Sequence, residues 1–524
     1  MFKKYSLSFI FILGIFICML DTTVMNVALP AISATTNTNL NTLSWALNAY
    51  TIIFASFTIP LTRIAEIYGK KKFFFLGALL FGTGSLISGF SFTFIILLIG
   101  RIIQSFGAAI LFPLSMSMGI ELIEGKTRTN TIAILGITQG LASAMGPTVG
   151  GMITQYLTWH WIFFINVPLA VIIIFLGIPT LRKTTIIQST VQSIDFFGSL
   201  LGITMLASFT SVLIEGRQWG WTSAPTIALI LVALISLIVF ILIESKIQEP
   251  MISLDLFKNR NFLASAIVII LSNLFLVAVT VLLPNYFVNI ENYSTLNASY
   301  MITPITFCIF IMSPLSGFLL EKIGPRWLVL IGFLLMGIGY ELYANFNALN
   351  NVAMSSISGA FVGMGYGIIT GPITVIAAAD FKGDQLSSSQ SVASVLRQVG
   401  ISMAVAIFVS GLYTNLASAQ RKAINYSNQE IVSLHLPHNV IDSMKKQSIE
   451  SIKAKKYKSK TNESPTHIKA IDEQINEKID LIKKNSKKEF TLAFSNLYKS
   501  ALPFMVFGTF SIFIFPRKKE KLYR

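Results

Sequence analysis

Asp21 stands inside an apolar stretch, Leu7 to Ala28, with Thr22, Thr23 and Asn26 close behind it. An ionised side chain at the centre of a bilayer costs roughly 2.5–3.5 kcal/mol on insertion scales. The cost is tolerated where the acid faces a wet cavity, pairs with a base or takes up a proton. Arg101, with Gln104 one helical turn later, lies in a second apolar stretch, Phe94 to Met116. If the first stretch crosses outward and the second inward, each residue falls about 8 residues from the outer end, at similar depth for a rise of 1.5 Å per residue. Burial favours the neutral form of a carboxyl, and a neighbouring guanidinium favours the charged form. A rearrangement that parts the two, or admits water, would therefore switch Asp21 between loading and releasing a proton. That is the minimum needed to couple protons to another movement; the plainer reading is a buried structural ion pair.

Three further groups carry candidate mechanism. In one later span, Gly136, Gly140, Ala144, Pro147 and Gly151 share a small-residue face, with Gly146 and Gly150 beside it. Small residues let helix backbones approach closely, and Pro147 removes a helical hydrogen bond. After the second span, Glu66, Gly69, Lys70 and Lys71 could latch the inner face or merely set orientation. Asn26, Trp45, Asn48, Tyr50, Gln104, Asn273, Phe307, Tyr366, Arg397 and Gln398 are aromatic, amide and guanidinium candidates for lining a substrate cavity, although side chains of this kind more often only pack. The chain holds 41 Phe and 17 Met, which suits a permissive apolar pocket.

The elements that must position these groups are membrane helices. Of 524 residues 53% are hydrophobic and only 12% charged, against about 25% charged in a soluble domain. Stretches of roughly 20 residues, long enough to cross a bilayer, are read at Leu7–Ala28, Leu43–Thr62, Phe73–Phe90, Phe94–Met116, Thr131–Ile153, Trp161–Pro179, Phe196–Ile214, Ile227–Ile243, Phe262–Pro284, Met301–Leu320, Trp327–Ala344, Ala353–Ala379, Val392–Tyr413 and Ala493–Phe515, fourteen in all. Lys and Arg concentrate in the loops after even-numbered spans and in the tail Arg517–Arg524, so both termini are expected in the cytoplasm.

The net charge of +16 is no sign of a nucleic-acid partner. Arg421 to Glu489 alone holds 15 basic and 9 acidic residues, and most of the remaining excess is orienting loop charge. This polar segment is expected outside, because long loops translocate regardless of charge. Ile468, Ile471, Ile475, Ile479 and Ile482 recur at helical spacing after Ser464-Pro465, and Ile441, Met444 and Ile452 follow Asn439. A helical hairpin is expected there, the alternative being a Lys-rich spacer. Cys18 and Cys308 lie in apolar stretches and no metal-ligand spacing, nucleophile elbow or phosphate loop occurs. No cofactor, metal or enzyme activity is expected.

An internal repeat organises the chain. Glu66-Ile67-Tyr68-Gly69-Lys70-Lys71 follows span 2, and Glu321-Lys322-Ile323-Gly324-Pro325-Arg326 follows span 10, with Gly77 and Gly332 each eight residues after the glycine of the turn. The simplest account is an all-α membrane protein with three parts: a six-helix bundle over 1–185, two inserted helices over 186–258, and a second six-helix bundle over 259–524 that includes the loop 414–492. Repeated halves place a binding site near mid-membrane between them.

At this point the chain resembles the major facilitator superfamily, and specifically its fourteen-span drug:proton antiporters of the QacA/EmrB type. Leu20-Asp21-Thr22-Thr23-Val24-Met25-Asn26-Val27-Ala28-Leu29-Pro30 is similar to that branch's first-span motif. Arg101 to Ala109 matches the span-4 motif with Ser105 in place of the usual Gly. Gly140 to Gly151 is similar to the motif associated with antiporters, Trp159 to Pro168 to the entry into span 6 with His160 in place of Arg, and Arg397-Gln398-Val399-Gly400 to a span-13 pattern. Thr62 and Glu66 depart from the family's Gly and Asp after span 2.

The resemblance implies a cell-membrane exporter of small, largely hydrophobic compounds in exchange for protons; with no second carboxylate deep in spans 9 to 14, neutral, zwitterionic or monocationic substrates are expected, and a monomer. One proton entering at 100 mV and one pH unit releases about 3.7 kcal/mol. That supports a gradient of about 500-fold for a neutral solute, but only about tenfold for a monocation exchanged one for one. Proton-linked uptake of a small solute and a receptor that uses the outer loop are the rival readings.

Overall fold

The computed structural model describes residues 2–122, 127–182, 193–247, 249–346, 351–454 and 469–515, and these are helical with short links. The principal helices are α1 (Phe2–Thr36), α2 (Leu40–Tyr68), α3 (Lys70–Gly89), α4 (Phe94–Glu121), α5 (Thr127–Tyr156), α6 (Asn166–Arg182), α7 (Phe196–Trp219) and α8 (Ala224–Glu244). They continue with α9 (Arg260–Asn289), α10 (Thr303–Ile323), α11 (Pro325–Ala344), α12 (Asn351–Ala379), α13 (Gly383–Ala404), α14 (Ser410–Val432), α15 (His438–Ala454) and α16 (Lys469–Phe510). A π-helical turn, Val405–Val409, joins α13 to α14 in one rod.

Helices are the form that satisfies every backbone group within the segment, as a bilayer requires. Asn39, Thr93, Asp195 and Asn259 open α2, α4, α7 and α9 by accepting from backbone N–H groups of the first turn.

The sequence repeat is a structural repeat. Gly69 closes α2 and opens α3 with φ 114°, and Gly324 closes α10 and opens α11 with φ 85°. Both conformations lie where a side chain is strained, which explains a glycine at each. Helix pairings recur with the same offset. α1 packs on α5 as α9 packs on α13, α3 on α4 as α11 on α12, and α2 on α4 as α10 on α12. The two halves meet reciprocally too, with α5 against α10 and α12, and α13 against α2 and α4. α7 and α8 pack on each other, and α7 lies along α2.

Twelve stretches among the described residues are long and apolar enough to cross a membrane. The chain is a multi-pass membrane protein. Two of the fourteen expected spans fall outside that set although both are helical. α5 is diluted by Gly, Thr, Gln, Ser and Pro, and the apolar end of α16 is interrupted by Asn496 and Lys499. The polar segment is a lobe built on these long helices. α14 runs on past the expected end of its span, α15 crosses to it, and α16 returns through 42 residues. Ile431, Ile441 and Ile482 from the three helices form a small apolar core. Lys478 Nζ donates to Glu430 Oε2 at 2.5 Å, and Lys487 Nζ to Glu291 Oε2 at 2.8 Å. The expected helix after Asn439 matches α15, while Ser464-Pro465 and Ile468 lie outside the described residues.

Candidate functional site

α1 and α4 carry Asp21 and Arg101 into the interior of the first bundle, where they are 1% and 0% exposed. Arg101 Nη1 donates to Asp21 Oδ2 at 2.5 Å and to Gln104 Oε1 at 2.7 Å. Asp21 Oδ1 accepts from Gln104 Nε2 at 2.8 Å and from Asn166 Nδ2 at 3.1 Å. Gln104 Nε2 also donates to Ser85 Oγ at 2.7 Å, and Arg101 Nε reaches the Ala46 carbonyl at 3.4 Å. The guanidinium lies over the Tyr50 ring, 4.1 Å from its centroid. Five helices, α1 to α4 and α6, therefore converge on one carboxylate.

Charge-assisted bonds hold the carboxylate and the guanidinium together, and burial opposes any charge left alone. Arg101 Nη2 and Asn166 Oδ1 are buried without a partner among the described residues. The network is thus not closed to a further polar guest. Loss of either partner would leave the other charge buried and alone.

α5 divides its small-residue face between two neighbours. Gly136 and Gly140 face α12: a Cβ at either would come within 2.9 Å of Thr374 or Thr370. Gly146 and Gly150 face α1, with Val24 N 2.9 Å from a Cβ at Gly146 and Val24 O 2.6 Å from one at Gly150. Gly151 meets Ser299, and Pro147 lies within the helix. Thr23 Oγ1 donates to the Ser143 carbonyl at 2.9 Å, fastening α1 to α5 two residues beyond Asp21.

At the far end of α2, Arg63 Nη1 donates to Glu66 Oε2 at 3.2 Å and Arg63 Nη2 to the Pro250 carbonyl at 3.2 Å. Lys70 Nζ pairs instead with Glu121 Oε2 at 2.9 Å. Thr62 is buried and donates to the Thr58 carbonyl at 2.7 Å. It lines a crevice with Arg63, Glu66, Met251 and Ser388, so this end of α2 is packed against the second half. Gly69 and Gly324 form the matching turns; Lys71 is half-buried, and the side chain of Glu321 lies outside the described residues.

Several expected cavity residues sit elsewhere. Phe307 is 60% exposed and shares an apolar stripe of α10 with Ile311 and Phe318, the bilayer-facing side. Trp45 is half-exposed and packs near Trp219, with ring centroids 6.4 Å apart. Asn48 Nδ2 donates to Glu215 of α7. These two thus join α2 to the inserted pair, and Asn26 is exposed on α1 away from the Asp21 network. Tyr50 and Gln104 belong to that network. In the second half Tyr366 Oη donates to Asn273 Oδ1 at 3.2 Å. Arg397 lines a narrow crevice between the halves with Gln139 and Thr374, and Gln398, its neighbour in sequence, is buried.

Sequence reasoning missed Asn166, Ser85 and Glu215. Asn166 had a signal, a polar side chain at the start of span 6 within a matched motif. A lone Ser in an apolar span has none. Glu215 lay just past the apolar limit of its span.

The sequence pattern of the Major Facilitator Superfamily matches residues 11–405. The chain belongs to that superfamily. Its members are transporters rather than enzymes. Multidrug resistance protein Stp of Mycobacterium tuberculosis (strain CDC 1551 / Oshkosh) is 27% identical over 434 residues, covering 82% of this chain and 80% of that protein. Multidrug transporter protein MdtP of Bacillus subtilis (strain 168) is 28% identical over 404 residues, 76% of this chain and 74% of its own. Riboflavin transporter RibZ of Clostridioides difficile (strain 630) is 27% identical over 419 residues, with 80% and 90% covered. The crystal structure of the human organic anion transporter MFSD10 (TETRAN) aligns over 97% of this chain and 99% of that one at TM-score 0.57 and 11% identity, a likeness of fold.

Proposed function

We propose that this major facilitator is a proton-coupled antiporter that exports hydrophobic, neutral to monocationic compounds across the cell membrane. The observation that carries the reading is Asp21, a fully buried carboxylate held by Arg101, Gln104 and Asn166. No purely structural need explains four polar side chains at the centre of an apolar bundle, since well-packed apolar residues do as well or better there. Similarity to multidrug transporters supports export of drug-like compounds.

In this reading fourteen helices cross the membrane, α5 and the end of α16 included. Residues 1–185 and 259–524 rock about the site as two bundles, with 186–258 inserted. Both termini are cytoplasmic, the lobe of α14 to α16 is extracellular, and one chain suffices. A buried α5, shielded by α1, α10 and α12, tolerates the polar residues that lower its hydropathy. The similarity to a riboflavin transporter favours a second reading, movement of a nutrient-sized solute.

Everted vesicles holding an acid interior separate these. Adding a transported monocationic or neutral dye should release protons and load the dye in the wild type. Asp21→Asn and Arg101→Ala should abolish the proton release. Full coupling in Asp21→Asn, or flux in the uptake direction only, would overturn the assignment.

A further inference from the structure

After Arg101, Arg397 is the most deeply buried arginine among the described residues, and it lacks what Arg101 has. It stands on α13 some fourteen residues from Gly383, about 21 Å along the helix at 1.5 Å per residue. It is 95% buried, being 5% exposed, yet among the described residues it makes no ion pair and no hydrogen bond. Its Nε is buried without a partner. The Phe112 ring of α4 lies 5.8 Å from its Cζ, and Tyr366 faces it from α12.

The side chain lines the space between the halves together with Met116 of α4, Gln139 of α5, Thr374 of α12, and Gln390 and Ser394 of its own helix. Unused hydrogen-bonding capacity collects here. Gln139 Oε1 and Arg397 Nε both line it, buried and unpartnered among the described residues. A guanidinium stays charged in any protein environment and offers five donors in a planar fork. Holding its Nε buried and unpaired is costly, and an anion entering the space would offset that cost. The fork fits the two oxygens of a carboxylate.

We propose that Arg397 is a substrate-binding residue that takes a carboxylate, so that the preferred cargo is an apolar-bodied compound bearing an acidic group, such as a net-neutral zwitterion. The inference rests on the reading of this chain as an exporter and narrows its substrate class. Both halves contribute to the space, so it widens when they part. In this conformation it has room for about one water molecule, so cargo enters only as the halves part. A zwitterion also suits the energetics: having no net charge, it can draw on both the potential and the pH difference when exchanged for one proton.

The matched probes are rhodamine B, which carries a free carboxylate and is a zwitterion, and its ethyl ester, which is a monocation. Binding to the purified full-length protein is read by fluorescence anisotropy. Arg397→Gln should weaken rhodamine B binding by about tenfold or more, leaving the ester within about twofold. Arg397→Lys, which keeps the charge and loses the fork, should fall between. Thermal unfolding of each variant establishes folding. If Arg397→Gln does not fold, the ratio of acid to ester affinity in Arg397→Lys decides between the outcomes.

Equal losses for both probes would make Arg397 a structural residue and overturn the proposal, as would unchanged affinity for the acid. Acid-selective binding without proton-linked flux would sink the exporter reading and leave this one standing. Proton-linked flux without acid selectivity would do the reverse.

Discussion

Gly146→Ala tests whether α1 must lie in direct contact with α5 for Asp21 to work. An added methyl would stand 2.8 Å from Thr23 Cβ and 2.9 Å from Val24 N. Neither neighbour is the free end of a flexible chain, so no rotamer change relieves the clash. An ordinary carbon–carbon contact is about 3.5–4.0 Å, so α1 and α5 must part by roughly 1 Å. Thr23 is two residues from Asp21, so a shift of this size in α1 would disturb the 2.5 Å Asp21–Arg101 contact. Overpacking costs about 1–3 kcal/mol, and a lost bond to a charged group about 1.5–3 kcal/mol. The sum is about 2.5–6 kcal/mol where both apply, less where strain spreads along both helices.

The assay is thermal unfolding in detergent, paired with the number of protons moved per substrate in everted vesicles. A lower unfolding midpoint and fewer protons per substrate are expected together. Gly140→Ala is the contrast. Its methyl would meet Thr370 Cγ2 at 2.9 Å and the Tyr366 ring edge at 3.2 Å, side-chain atoms of α12 that can yield. It should cost about 1 kcal/mol or less and leave the proton count unchanged. A Gly146→Ala protein with wild-type stability and an unchanged proton count would refute the argument.

Two further outcomes are expected. Ile482→Asp puts a carboxylate into the small core that Ile431, Ile441 and Ile482 share; protease cleavage within α15 should rise by about tenfold or more, while dye transport stays near wild type because the lobe touches neither Asp21 nor Arg397. His160 stacks on Trp159 with ring centroids 3.7 Å apart, and its burial pushes the imidazole below its ordinary value, against a smaller upward pull from the Ser91 backbone. The unfolded chain then binds more protons below about pH 6.5, so stability falls as pH drops through that value. His160→Gln should flatten this dependence between about pH 6.5 and 5 in unfolding scans.

Sequence alone determined that the chain is a helical membrane protein built as a repeat, because span length, loop charge and the turn around Gly69 and Gly324 are local properties. It also marked Asp21 and Arg101, since ionisable residues are conspicuous against apolar neighbours. Tertiary structure decided which polar groups meet. Asn166 and Ser85 reach the Asp21 network from α6 and α3, and helix rotation, which fixes that, depends on packing along the whole span. The same rotation turned Phe307 to the bilayer and Asn48 to Glu215. The uneven fates of the two arginines were equally out of reach of the sequence. Arg101 lies in an apolar helix and Arg397 in a Ser- and Gln-rich one, yet only the folded bundle brings a carboxylate to the first and leaves the second without one, because an ion pair requires side chains from separate helices to arrive at one depth and one face.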